Sequence, residues 1–130
     1  MKCQVAVELL VIMALMAIVF LSLFVQYQAR ETAIRDSETR LAADRNAAVI
    51  ALAANSLLPA PSGAWVTVRP DSSVAGRNYS IALRGRRVEV SWEGGSASRP
   101  LLTSNFTGSI APGALTRIRK TDGGIVFETP

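Results

Sequence analysis

Residues 1–25 read MKCQVAVELLVIMALMAIVFLSLFV, and between Val5 and Val25 a single charge, Glu8, interrupts an otherwise apolar run. At roughly 1.5 Å per residue, about 21 helical residues reach across a hydrocarbon core of about 30 Å. The pattern predicts a membrane-spanning helix over residues 5–25. A removable secretory signal has a shorter apolar region that ends in small residues at its cut site. Here the run passes straight into Gln26-Tyr27-Gln28 and a further helical pattern. A buried core helix this long and this evenly apolar is out of proportion to a chain of 130 residues.

Downstream, ARETAIRDSETRLAADRNAAVIALAANSLL contains no glycine or proline before Pro59. The helix is therefore expected to continue to Leu58, where the following proline disfavours the α region. Residues 4–58 would form one helix, its first half in lipid and its second half in water. Ile34, Leu41 and Ala48 recur every seven positions, with Ala51 and Leu52 widening the stripe, the spacing of a helix that packs on a partner. Glu31 with Arg35 and Asp36 with Arg40 are acid-before-base pairs at i,i+4 that support the helix.

Pro59 to Gly63 (PAPSG) breaks the helix, and the apolar period then drops to two. In NYSIALRGRRVEVSW, Tyr79, Ile81 and Leu83 share one face. The chain reverses near Arg84-Gly85, and Val88, Val90 and Trp92 share one face of the return strand, a hairpin pattern. WVTVRP alternates in the same way. A second reversal at TDGG joins TRIRK to IVFE, with Ile118, Ile125 and Phe127 as inward candidates. The stretch EGGSASRPLLTSNFTGSIAPG reads mostly as loop, with a short strand around Leu101 to Thr103. The expected fold class is α+β: a long N-terminal helix packed against a small antiparallel β-sheet head over residues 64–130, since two isolated hairpins would be only marginally stable.

Charge and residue types narrow the chemistry. The chain carries a formal net charge of +4. The water-side helix balances Arg30, Arg35, Arg40 and Arg45 with Glu31, Asp36, Glu38 and Asp44, so the excess lies in the head. Arg84, Arg86 and Arg87 form the candidate basic patch, yet basic residues are spread over every strand, as solubilising edge charges are. Nucleic acid is not an expected partner. There is no histidine and one cysteine, Cys3, so the commonest general base, an intrachain disulfide and a cysteine-built metal site are all excluded. No phosphate-cradling glycine loop or paired carboxylates are present. No catalytic residue, metal site or cofactor is expected, and the chain reads as a non-enzyme.

Glu8 is then the residue to explain. A carboxylate in a membrane helix costs about 2.5–3.5 kcal/mol at the helix centre and less near the interface. The nearest basic groups along the chain are Lys2 and the N-terminal amine. An ammonium from a neighbouring copy at about 4 Å would attract it by about 4 kcal/mol at an effective dielectric near 20. On that reading Glu8 is an assembly residue.

Lys2-Cys3-Gln4-Val5-Ala6-Val7-Glu8-Leu9-Leu10 resembles the class III signal peptide of archaeal type IV pilins: a short basic leader, a glutamine, a glutamate four residues later, then the apolar helix. Cys3 stands where that family usually has glycine and Ala6 where serine is frequent. Bacterial tight-adherence pseudopilins are similar, but their early proline is missing here. The resemblance implies that residues 1–3 are a leader, that a prepilin peptidase cuts between Cys3 and Gln4, and that Gln4 becomes the new N-terminus. It implies that Glu8 pairs with a neighbour's N-terminus during assembly, served by a pilus assembly platform and its ATPase. The subunit would begin as a single-pass precursor in the cytoplasmic membrane and end in a cell-surface filament.

Lysine and arginine near the membrane ends point the other way, since Lys2 faces Arg30, Arg35, Arg40 and Arg45, and the positive-inside rule would leave the head in the cytoplasm. These arginines are interleaved with acids, and the resemblance implies an exported head. Asn78-Tyr79-Ser80 and Asn105-Phe106-Thr107 are candidate N-glycosylation sequons that agree with an outside location. Two other functions fit the same pattern: a single-pass anchored extracellular β-domain that binds a ligand, and a minor pseudopilin of a secretion or DNA-uptake machine.

Overall fold

A computed structural model describes residues 2–130, with side chains from Cys3 onward. Met1 of the expected leader lies outside the described residues. Helix α1, Lys2–Ser56, is followed by β1 Trp65–Val68, β2 Tyr79–Arg84, β3 Arg87–Trp92, β4 Gly95–Pro100, β5 Phe106–Gly108, β6 Thr116–Thr121 and β7 Gly124–Glu128. This is the expected α+β arrangement. The chain divides into two compact units, Met1–Asp36 and Ser37–Pro130, so the second contains the C-terminal turns of α1 together with every strand.

With no glycine or proline in its span, nothing in α1 interrupts the backbone ladder. In the first unit Arg35 pairs with Glu31 at 2.5 Å, as the spacing predicted. The regular helix ends at Ser56, two residues earlier than expected. The amides of Leu57 and Leu58 reach back only three residues, to the carbonyls of Ala54 and Asn55, and this tightened turn leads into Pro59.

The strands form two sheets rather than one. Three of them, in the order β2-β3-β4, make an antiparallel meander, and the other four, in the order β1-β6-β7-β5, make a mixed sheet in which β5 runs parallel to β7. The two expected hairpins are present. Tyr79, Ile81 and Leu83 lie opposite Trp92, Val90 and Val88, and Ile118 lies opposite Phe127. The expected strand around Leu101 to Thr103 is absent, and the chain instead pairs just before it, as β4, and just after it, as β5. β4 has little apolar alternation of its own. It is held by β3, with Gly95 directly opposite Trp92 and so close that a Cβ there would lie 2.8 Å from the indole.

One core joins helix and sheets. Along α1, Thr39, Ala43, Asn46, Ala47, Ile50, Ala51 and Ala54 are buried, a stripe at three- and four-residue spacing that Leu57 extends just past the helix end. Val88 and Val90 of the meander meet it, as do Ile118, Ile125 and Phe127 of the mixed sheet, with Val74, Leu101 and Ile110 supplied by loops. Of the stripe singled out by sevenfold spacing only Ala51 is buried; Leu41 and Leu52 are each 73% exposed, because the inward face is built mainly of alanines, with Ile50 as its one large aliphatic within α1.

Candidate functional site

In the first unit every large apolar side chain from Val5 to Val25 is more than half exposed, and none of the most apolar window is buried. A helix apolar on all sides satisfies its backbone internally but leaves its side chains to a lipid or protein environment. Ile12, Leu15, Met16, Val19, Phe20 and Leu23 line one continuous apolar face of it. Glu8 is exposed on this helix and its side chain, among the described residues, has no hydrogen bond or ion pair. Cys3 is a free, exposed thiol, and Cys3 and Gln4 both have helical backbone. They stand in the first turn, whose amides have no partner within the helix, so opening that peptide for a protease disturbs little of the ladder.

The second unit leaves an outer helix face uncovered, on which Leu41, Val49 and Leu52 are exposed. Its sheets also present two distinct polar surfaces. At the tip of the β2–β3 hairpin, Arg84 and Arg87 are direct cross-strand partners, and Arg86 stands in the turn between them. The structure thus brings the three expected basic residues together. Arg86 is tied down, donating to the Leu102 carbonyl at 2.8 Å while its own carbonyl accepts from the Leu101 amide at 2.7 Å. Arg84 and Arg87 have no acidic partner among the described residues, and like charges directly opposite each other are unfavourable. On the outer face of the mixed sheet, Trp65 is 58% exposed, with the Arg117 guanidinium 5.1 Å from its ring centroid. Arg119 pairs with Glu128 at 2.8 Å.

Several residues that no sequence motif marks fasten the head to the helix. Arg99 of β4 makes a two-pronged pair with Asp44, its Nε 2.8 Å from Oδ1 and its Nη2 against Oδ2. That hydrogen bonding, followed by the charges of Arg99 and Arg40, outweighs desolvation and holds the Asp44 carboxyl below the usual carboxylate range. Asn55 bridges to the β4–β5 connection, accepting from the Leu102 amide at 2.9 Å and donating to the Pro100 carbonyl at 3.4 Å. Lys120 donates through Nζ to the Leu58 carbonyl just past the helix end. The Tyr79 hydroxyl donates to the Asp71 carbonyl, and burial, with the Asp71 charge adding to it, pushes that phenol up to about 12. For the contacts that reach the helix and its end the only available signal is residue type, because each joins positions far apart in the chain, whereas the Tyr79–Asp71 contact lies within the head.

Both sequon asparagines are exposed, Asn78 just before β2 and Asn105 just before β5. Among the described residues no three His, Cys, Asp or Glu side chains converge as a metal site would require. Comparison with models of known protein families, with curated proteins and with solved structures finds no match.

Proposed function

We propose that this chain is a structural subunit of an archaeal type IV pilus-like surface filament, cut between Cys3 and Gln4 by a prepilin peptidase and polymerised through its apolar helix. The observation that carries the reading is a helix apolar on every side, uncovered from Val5 to Val25, with one carboxylate, Glu8, whose side chain has no partner among the described residues. Lipid covers the apolar side chains of the precursor, and neighbouring helices cover them in the filament. The carboxylate favours the second environment, because the free amine of a cut neighbour supplies the charge it lacks. An assembly platform with its ATPase lifts the subunit from membrane to filament, and the β-rich head faces outside the cell.

The arginine tip of the β2–β3 hairpin favours a second reading, a membrane-anchored head that binds an anionic ligand without polymerising, or a minor pseudopilin that does so within a secretion or uptake machine. Intact-mass and N-terminal peptide mass spectrometry of the protein from sheared surface material and from membranes separates them, allowing for cyclisation of Gln4. A form beginning at Gln4 in the sheared fraction is the expected result. A form beginning at Met1 and confined to membranes would leave Glu8 without a role and replace the filament by the anchored binding protein.

A further inference from the structure

We infer that Asn105 is an N-glycan acceptor whose sugar sits beside the free edge of the mixed sheet. The inference rests on the reading of an exported head. Thr107 is in register with Val126 of β7, which is in register with Arg119 of β6, itself opposite Trp65 of β1. Side chains in register across a sheet share a face, so Thr107 points to the outer side of this sheet; Asn105, immediately before the strand, is exposed as Thr107 is, while Phe106 between them is partly buried. The amide that accepts the sugar and the hydroxyl that completes the sequon are therefore presented together, both exposed.

The backbone around Asn105 is held while its side chain is left free. Its amide donates to Thr103 Oγ1 at 3.1 Å and its carbonyl accepts from the Ile125 amide at 2.9 Å. The side chain has no partner among the described residues. An open cleft of about 420 Å³ lies alongside, lined by Ser104, Phe106, Thr107, Thr121, Gly123 and Val126 among others. The β6–β7 turn that walls it is glycine-built for a physical reason: Gly124 has φ +142°, and a Cβ there would lie 2.2 Å from the Asn105 carbonyl oxygen. A first sugar has room on that side, where Ser104, Thr107 and Thr121 supply hydroxyl groups to the cleft lining. Asn78 lacks this setting. The residue at the centre of its sequon, Tyr79, is buried with its hydroxyl on the Asp71 carbonyl.

In the transfer, Asn105 Nδ2 bonds to the anomeric carbon of a lipid-phosphate-linked oligosaccharide. The bond from that carbon to phosphate oxygen breaks, the lipid phosphate leaves, and the amide gives up one proton to the transferring enzyme's base. The consequence for the head is edge protection. β5 sits at the end of the β1-β6-β7-β5 order, so one side of Phe106–Gly108 has no strand partner, and a glycan at its start blocks strand addition by another chain.

The test is tryptic peptide mass spectrometry of the full-length protein purified from sheared surface material and from membranes of its native host. Peptides 78–84 and 88–117 carry one sequon each, the second running through Arg99 because Pro100 follows it. A sugar mass on peptide 88–117 is expected, lost in Asn105→Gln and in Thr107→Ala and kept in Thr107→Ser. A sugar mass that survives Asn105→Gln places it on another residue and overturns the inference. A mature form beginning at Gln4 with peptide 88–117 only at its bare mass overturns it while leaving the filament reading intact. A membrane-bound form that keeps Met1 and carries no sugar ends both.

Discussion

The two parts of α1 are built from the same backbone and opposite side-chain strategies. From Val5 to Val25 the helix is made mostly of large apolar residues and none of its most apolar window is buried, whereas after Ser37 the inward face is largely alanine and covered by the sheets. Large exposed residues maximise the apolar area that a lipid or a neighbouring helix can cover. Small buried ones let two sheets approach one helix closely. The difference teaches that apolar weight and packing are separate properties of a sequence: the most hydrophobic half of this helix is left uncovered by the described residues, and the less hydrophobic half carries the fold.

The strongest way to break that contrast is at Glu8. In the filament reading Glu8→Ala removes the one polar contact available to the bare half, and the protein is expected to fall at least about tenfold in the sheared fraction, since a few kcal/mol per contact is involved. Its amount in membranes should hold or rise, because an alanine inserts more readily than a carboxylate. Quantitative immunoblotting of the two fractions measures both. Normal filament yield from Glu8→Ala cells would remove Glu8 from assembly.

The second way compares faces within the head unit. Ile118 is fully buried between β1 and β7, so Ile118→Ala should cost about 2–5 kcal/mol in the urea unfolding of the full chain in detergent, followed by tryptophan fluorescence. Leu41→Ala, on the uncovered face of the helix, should change that stability by no more than about 0.5 kcal/mol. It should instead lower filament yield if a neighbouring copy covers that face. Equal loss of stability in both variants would mean that the sheets also cover Leu41.

How far the sequence could be read follows from the same contrast. The membrane-length run, both hairpins and the inward set Val88, Val90, Ile118, Ile125 and Phe127 were readable because their signals are local: a run length, a period of two, a turn between matched strands. The face of α1 that packs on the sheets was read correctly only at Ala51, because periodicity weighs large residues, and here Leu41 and Leu52 are outside while Ala43, Ala47 and Ala54 are inside. β4 was unreadable for a different reason. GSASRP has no pattern of its own, and its strand exists through β3 and through Arg99 reaching Asp44, a residue far away in the chain. The arginine tip was readable as three residues but not as an opposed pair, which needs the register of Arg84 with Arg87.

A smaller effect is expected at Tyr79. Tyr79→Phe keeps the ring and removes the hydroxyl that donates to the Asp71 carbonyl, for a loss of about 0.5–1.5 kcal/mol. The phenol, pushed up to about 12 in the fold, binds its proton more tightly than in the unfolded chain, where the ordinary value is 10.0. Its contribution is therefore complete below pH 10 and is lost as pH rises towards 12. Urea midpoints at pH 8 and pH 11 should converge between wild type and Tyr79→Phe at the higher pH; a constant gap would detach the hydroxyl from that contact.

The smallest expected effect is at Asp44, and it bears most directly on why an unpatterned strand stays in place. Both members of the Asp44–Arg99 pair are substantially open to solvent, so screening keeps the pair weak and Asp44→Asn should lower the unfolding midpoint only slightly at pH 7. Its signature lies in pH dependence. A carboxyl held below its unfolded value stabilises the fold above that value and loses the contribution as pH falls through the folded one. Wild type should therefore lose its small advantage over Asp44→Asn as the medium is acidified through the carboxylate range, and Arg99→Gln should behave like Asp44→Asn. Hydrogen exchange at the β4 amides gives the sharper readout: loss of protection over Gly95–Pro100 in both variants, with Val88 and Val90 unchanged, would make the ion pair the anchor of this strand. Unchanged protection would leave pairing with β3 and the packing of Trp92 over Gly95 as sufficient.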